Sequence, residues 1–216
     1  MATAVAPAQH PRSRAKLVFF LVFLLVTVFV TYMKNARILD PTSPIAQHFN
    51  PVKPFLMVHA FFGALAMIVA VFQFSNRLRA RYLKVHRVLG YVYVTSVFIS
   101  APFAIPIAMR ITTPSLVAAS AVQSFGWIST TLIALYCILR GNVAQHRRWM
   151  IRSYPFAMVF TVARLIIPIP RVRRAGFTGI EIVVWTAIAL AAFLPSFLLE
   201  WQASFQRPAK AAGHRA

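Results

Sequence analysis

The sequence predicts an all-α protein, a polytopic transmembrane helix bundle of about six helices with both termini on the cytoplasmic side. Three observations predict it. Apolar residues make up 59% of the 216-residue chain, whereas a soluble domain is nearer half. Charged residues amount to 12% and crowd into short runs. Between those runs lie apolar stretches at roughly 16–33, 55–74, 87–109, 114–139, 149–168 and 179–201, each long enough at about 1.5 Å per residue to cross a bilayer. A mean hydropathy of +0.69 agrees.

A single transmembrane domain over about 15–205 follows, flanked by a disordered basic tail at 1–14 and a second basic tail at 206–216. In the first stretch, Arg12, Arg14 and Lys16 precede Leu17–Val30, as in a signal peptide. TYMKN follows and offers no small-x-small cleavage site, so an uncleaved helix is expected. Pro54 and Pro114 suit the first turns of the second and fourth helices, where a missing N–H costs nothing. Pro102 and Pro106 are expected to kink or end the third helix, and Pro168 with Pro170 to stop the fifth. Gln123, Ser124, Ser129, Thr130 and Thr131 on the fourth helix read as interhelical hydrogen-bonding groups. Gly63, Ala64 and Gly90 permit close helix approach. Tyr91, Tyr93, Tyr136, Trp149 and Tyr154 read as an aromatic belt at the inner interface.

The formal net charge is +20, with three acids, Asp40, Glu181 and Glu200. In a soluble protein such a balance points to nucleic acid. Here the bases sit between membrane segments, so anionic lipid headgroups are the expected partner and nucleic acid is not. With both ends inside, the bases of the 75–86 and 140–148 loops gather on the cytoplasmic side, while the 110–113 loop carries Arg110 alone. The expected location is therefore a bacterial inner membrane. Cys137 is the single cysteine, which excludes an intrachain disulfide and a thiolate metal cluster.

Two segments begin with His-Arg: RARYLKVHRVLGYVYV at 79–94 and RGNVAQHRRWMIRSYPF at 140–156. His86 and His146 fall at similar depth on two helices. Neutral imidazole ligates iron, and facing helices can clamp a haem between them. Arg81, Arg87 and Arg147 could meet its propionates. The competing reading is that both motifs anchor to lipid phosphate.

On the other side, His59 sits about five residues into the second helix, about 7 Å from its outer end and about 22 Å from the inner one near Phe74. One ligand cannot bridge His59 and His86. Arg164 lies at a matching depth in the fifth helix, where a charge is costly unless paired or wet. Glu181 and Asp40 are the candidate partners. His59, Arg164 and Glu181 therefore form an expected outer polar cluster. The alternative has Arg164 snorkelling outward and Glu181 serving as a helix-start carboxylate.

There is no phosphate loop, GxGxxG, GxSxG elbow or HExxH. The residues neither assign nor exclude an enzymatic activity.

His59 with FFGALAM, then QFSNRLRARYLKVHRVLGYVYV, QHRRWMIRSY and VARLIIP, resembles the bacterial membrane family termed domain of unknown function 2306, over roughly 55–170. Tyr91 follows Gly90 where the family pattern has an arginine. The resemblance implies a membrane protein and brings no established activity. The histidine-bearing helices also resemble those of b-type membrane cytochromes, which hold haem between paired histidines. Those proteins use two pairs, and for His59 the one outer candidate is His48. The expectation is one haem b held by His86 and His146, passing electrons to or from a quinone or other redox partner. The alternative is a non-redox carrier or assembly factor whose polar clusters bind anionic lipid or solute.

Overall fold

The computed structural model describes residue 40 and residues 42–205, together with positions 18, 21, 22, 24–26, 28, 29 and 32 of the first apolar stretch. Those nine positions are helical, but the first predicted helix as an element, and both basic tails, lie outside the described residues.

Among the described residues the chain is helical from end to end. A short α1 (Pro44–Phe49) and a 3₁₀ turn (Asn50–Val52) lead into α2 (Lys53–Gln73). α3 (Asn76–Arg81) is a one-turn connector to α4 (Leu83–Ile111). α5 (Pro114–Leu139), α6 (Val143–Ile166), α7 (Pro170–Arg174) and α8 (Gly176–Phe205) complete the order. Four segments are long and apolar enough to cross a membrane: Ala46–Gln73, Leu83–Ile111, Pro114–Leu139 and Gly176–Phe205. α6 has comparable length, 24 residues, but its first half carries His146, Arg147, Arg148 and Arg152.

The helix starts follow side-chain capping. Thr113 Oγ1 accepts from Leu116 N at 3.4 Å at the head of α5, where Pro114 takes the first position. Asn142 Oδ1 accepts from Gln145 N at 3.1 Å and starts α6 at residue 143, ahead of the expected 149. Gly141, with φ of 75°, terminates α5 in the left-handed region. α6 stops at Ile166, just before Pro168, as expected.

At Pro102 and Pro106 the third predicted helix does not end. α4 runs unbroken past Pro102 and Pro106 to Ile111. Carbonyls beside the first proline receive donors from neighbouring helices: His59 Nδ1 donates to Ser100 O at 2.9 Å, and Ser124 Oγ to Ala101 O at 2.8 Å. These bonds tie α4 to α2 and α5 beside the proline; the carbonyls that lose their helical donor to Pro102 and Pro106 are those of Phe98 and Pro102.

α2, α4, α5 and α6 form a ring in that order, closed by α2 against α6, and α8 packs outside against α6 and α5. α4 and α6 are thus diagonal. The core is built of small and medium residues such as Ala66, Ala70, Val97, Ala101, Ala119 and Val159, with Trp127 and Phe156 filling the centre. Small residues let helices approach where no hydrophobic difference drives them together. Gly126 faces Phe156, whose ring a Cβ would meet at 2.6 Å. Gly90 makes no comparable approach, since its nearest neighbour would be Gln73 Oε1 at 3.9 Å.

Two of the tyrosines expected in the interfacial belt are core residues instead. Tyr93 is 1% exposed and Tyr154 6%. Tyr93 is buried because its hydroxyl is satisfied inside. It shares a hydrogen bond of 3.0 Å with Ser153 Oγ and accepts from Trp127 Nε1 at 3.1 Å, while Ser153 also bonds Thr131 at 2.7 Å. This network ties α4, α5 and α6 together across the ring.

Candidate functional site

Antiparallel neighbours bring the start of α4 and the start of α6 to one end of the ring. His86 and His146 are both half-buried there. His146, Arg79 and Arg147 all stand close enough to act on His86 electrostatically. His146 Nδ1 donates to Ala134 O at 2.8 Å, which leaves Nε2 as its free nitrogen. A carbonyl on the far ring nitrogen is the usual support of a metal-ligating imidazole. His86 lacks that support, because its Nδ1 is buried without a partner. Gln73 Nε2 binds the His86 carbonyl at 3.0 Å, which fixes the backbone rather than the ring.

Of the expected arginines, Arg81, Arg87 and Arg147 are exposed. Arg79, not singled out in the sequence, is half-buried and is held by Asn76 Oδ1. Burial, and behind it the charge of Arg147, push the Arg79 guanidinium below its usual range. Among the described residues no group of three or more His, Cys, Asp or Glu side chains could hold a metal ion. Cys137 is a free thiol.

The opposite half of the ring holds a cavity of about 50 Å³. α2 contributes His59, Gly63 and Met67, α4 contributes Ser100, and α5 contributes Gln123 and Trp127. α6 contributes Ala157, Phe160, Thr161 and Arg164, the three- and four-residue spacing of one helical face. Gly63 keeps the space open, since a Cβ there would press Ser100 Oγ at 3.1 Å. Ser100 in turn orients His59: its carbonyl takes Nδ1, and its hydroxyl donates to His59 O at 3.0 Å. A carbonyl only accepts, so Nδ1 carries the proton and Nε2 is left as the acceptor of the neutral ring.

Arg164 stands beside His59 closely enough to act on it, but the expected acidic partners are elsewhere. Glu181 accepts from Thr113 Oγ1 and does not line the cavity. Asp40 accepts from the Thr42 hydroxyl at 2.7 Å and the Thr42 N–H at 3.0 Å, bonds that hold its carboxyl below the usual carboxylate range. Glu200 pairs with Arg148 and, at 3.9 Å, with Arg152. The three acidic side chains are thus all engaged away from Arg164. Among the described residues Arg164 has no ion-pair partner. The expected outer cluster therefore reduces to His59 and Arg164, without Glu181 or Asp40. His48 takes no part either. It is exposed and packs edge-on against Phe49 at 5.1 Å.

Gln123 joins them and was read in the sequence as a packing hydrogen-bonder. Its Nε2 donates to Phe156 O at 2.9 Å, and its Oε1 is buried with no partner. No sequence signal distinguishes Gln123 from other polar residues of α5, because its partner is a backbone carbonyl.

An all-helical ring with spans of membrane length and a polar interior defines a polytopic membrane protein. The chain belongs to the family described as "Predicted membrane protein (DUF2306)", whose model matches residues 56–202, more than half of the chain. No curated protein and no solved structure matches it, so the likeness to b-type cytochromes gains no support from known folds.

Proposed function

We propose that the protein binds a small anionic solute inside its four-helix ring, as a carrier in a bacterial inner membrane. The observation that carries this reading is Arg164. A guanidinium that lines an interior cavity is costly unless something compensates it. All three acidic side chains are engaged elsewhere, so the natural counter-ion is a guest. The cavity supplies room for one, and His59 flanks it. The basic 75–86 and 140–148 loops would face the cytoplasm by the positive-inside rule.

Anions in millimolar amounts should raise the melting temperature of the detergent-purified protein. Occupancy at about 100 times Kd contributes about 2.7 kcal/mol. Arg164→Gln should abolish the response. A shift that survives in Arg164→Gln, or no shift with any small anion, overturns the reading.

A second reading rests on the residue types at the other end of the ring, where His86 and His146 start diagonal helices. Two imidazoles at one level, with arginines around them, are the donor set of a b-type haem. His146 and His86 would hold the iron, and Arg79 with Arg147 would meet the propionates. The bound haem would supply one-electron transfer, with a quinone as its natural partner in the bilayer. A reduced-minus-oxidised spectrum of protein made with ample haem tests it. A haem band lost in both His86→Ala and His146→Ala is expected, and a colourless wild-type protein overturns it.

A further inference from the structure

The polar groups around the cavity also restrict which anion fits. Arg164 offers only donors, five N–H groups and no acceptor. The other two open groups are acceptors. His59 has Nε2 left after Nδ1 is bound to Ser100 O. Gln123 has Oε1 left after Nε2 is bound to Phe156 O, and that side chain is 6% exposed. The amide cannot be flipped, because Phe156 O requires a donor. A buried acceptor without a partner is penalised whatever happens at the arginine.

We infer that the solute is a small planar oxyanion that bears an O–H of its own, of the bicarbonate type, rather than a halide or an acceptor-only oxyanion. The inference rests on the anion-binding reading of the same cavity. Negative oxygens would face Arg164, and the O–H would donate to Gln123 Oε1 or to His59 Nε2. Size agrees. A water needs about 10–15 Å³ of such space, so the cavity's roughly 50 Å³ admits about three or four heavy atoms. It is too small for a quinone ring, and a long acyl chain would have to lie elsewhere.

Bicarbonate and nitrate make the test. Both are planar, monovalent and of four heavy atoms, and they differ in the O–H. Formate, more basic than nitrate but also without an O–H at neutral pH, controls for basicity. Melting-temperature titrations of the full-length protein in detergent, at constant ionic strength and in sealed cells, read the three affinities. Bicarbonate should bind at least about tenfold more tightly than nitrate and formate, since sites built around a ligand hydroxyl reject analogues lacking it. Gln123→Met, which removes the buried acceptor, should lower the bicarbonate-over-nitrate ratio at least about threefold; a folded variant with the parent's ratio overturns the role of Gln123 Oε1. Where that variant fails to fold, the wild-type ranking alone decides. Equal affinity for all three, or formate matching bicarbonate, overturns the inference and leaves an anion site standing. No binding of any of them overturns the anion reading itself.

Discussion

Arg164→Leu is expected to give a protein that folds at least as well as its parent yet no longer responds to anions. Insertion scales give an arginine about 2.5–3.5 kcal/mol at the centre of a membrane helix, and Arg164, in the last turn of α6, costs less than that. Replacing buried charge by a packed aliphatic group is often neutral or stabilising by about 1–4 kcal/mol. Arg164 has no carboxylate to lose, so removing it orphans no partner charge. We therefore expect a gain of about 1–3 kcal/mol without added anion, measured by reversible unfolding in detergent. With saturating anion the order should reverse, because only the parent gains from the guest. A loss of stability in anion-free buffer would mean that Arg164 is a structural residue, and the functional argument would fall with it.

The second large effect lies at the centre of the ring. Tyr93→Ala removes a side chain that is 1% exposed and leaves a void between α4, α5 and α6. Large aromatic truncations in cores cost about 3–5 kcal/mol. Here Trp127 Nε1 and Ser153 Oγ also lose a partner. Tyr93→Phe keeps the bulk and loses the hydroxyl alone, which should cost about 1–3 kcal/mol. A double-mutant cycle of Tyr93→Phe with Ser153→Ala should show coupling of about 0.5–3 kcal/mol, as expected within one hydrogen-bond network. Additive values would mean that the two groups do not act together.

These two sites differ in how far they could be read from sequence. Uninterrupted apolar runs placed α2, α5 and α8 to within a few residues, because run length and flanking charge are one-dimensional signals. α6 starts six residues before the expected 149 because His146, Arg147 and Arg148 read as loop, although Asn142 is a helix cap. Pro102 and Pro106 read as breakers because each removes an i→i−4 bond, whereas the contacts that hold α4 in place there, from His59 and Ser124, come from other helices. Depth can be counted along each helix, and His59 and Arg164 line one cavity. Direction around the helix axis cannot, so the sequence leaves Glu181 as one candidate partner of Arg164, whereas in the fold it accepts from Thr113. The four-residue step from His59 to Gly63 was visible, but not that Gly63 leaves room for Ser100. Tyr93 and Tyr154 were assigned to the bilayer interface because tyrosine is common there, and a hydroxyl satisfied by Ser153 leaves no trace in the linear order.

Arg164's lack of a carboxylate partner also has an electrical consequence. Moving one elementary charge through the full membrane potential is worth about 2.3 kcal/mol per 100 mV. A bundle whose interior holds one uncancelled positive charge feels that field, whereas the same bundle with a monovalent guest on Arg164 is neutral there. Voltage would then act on the return stroke of a carrier cycle and leave the loaded stroke untouched.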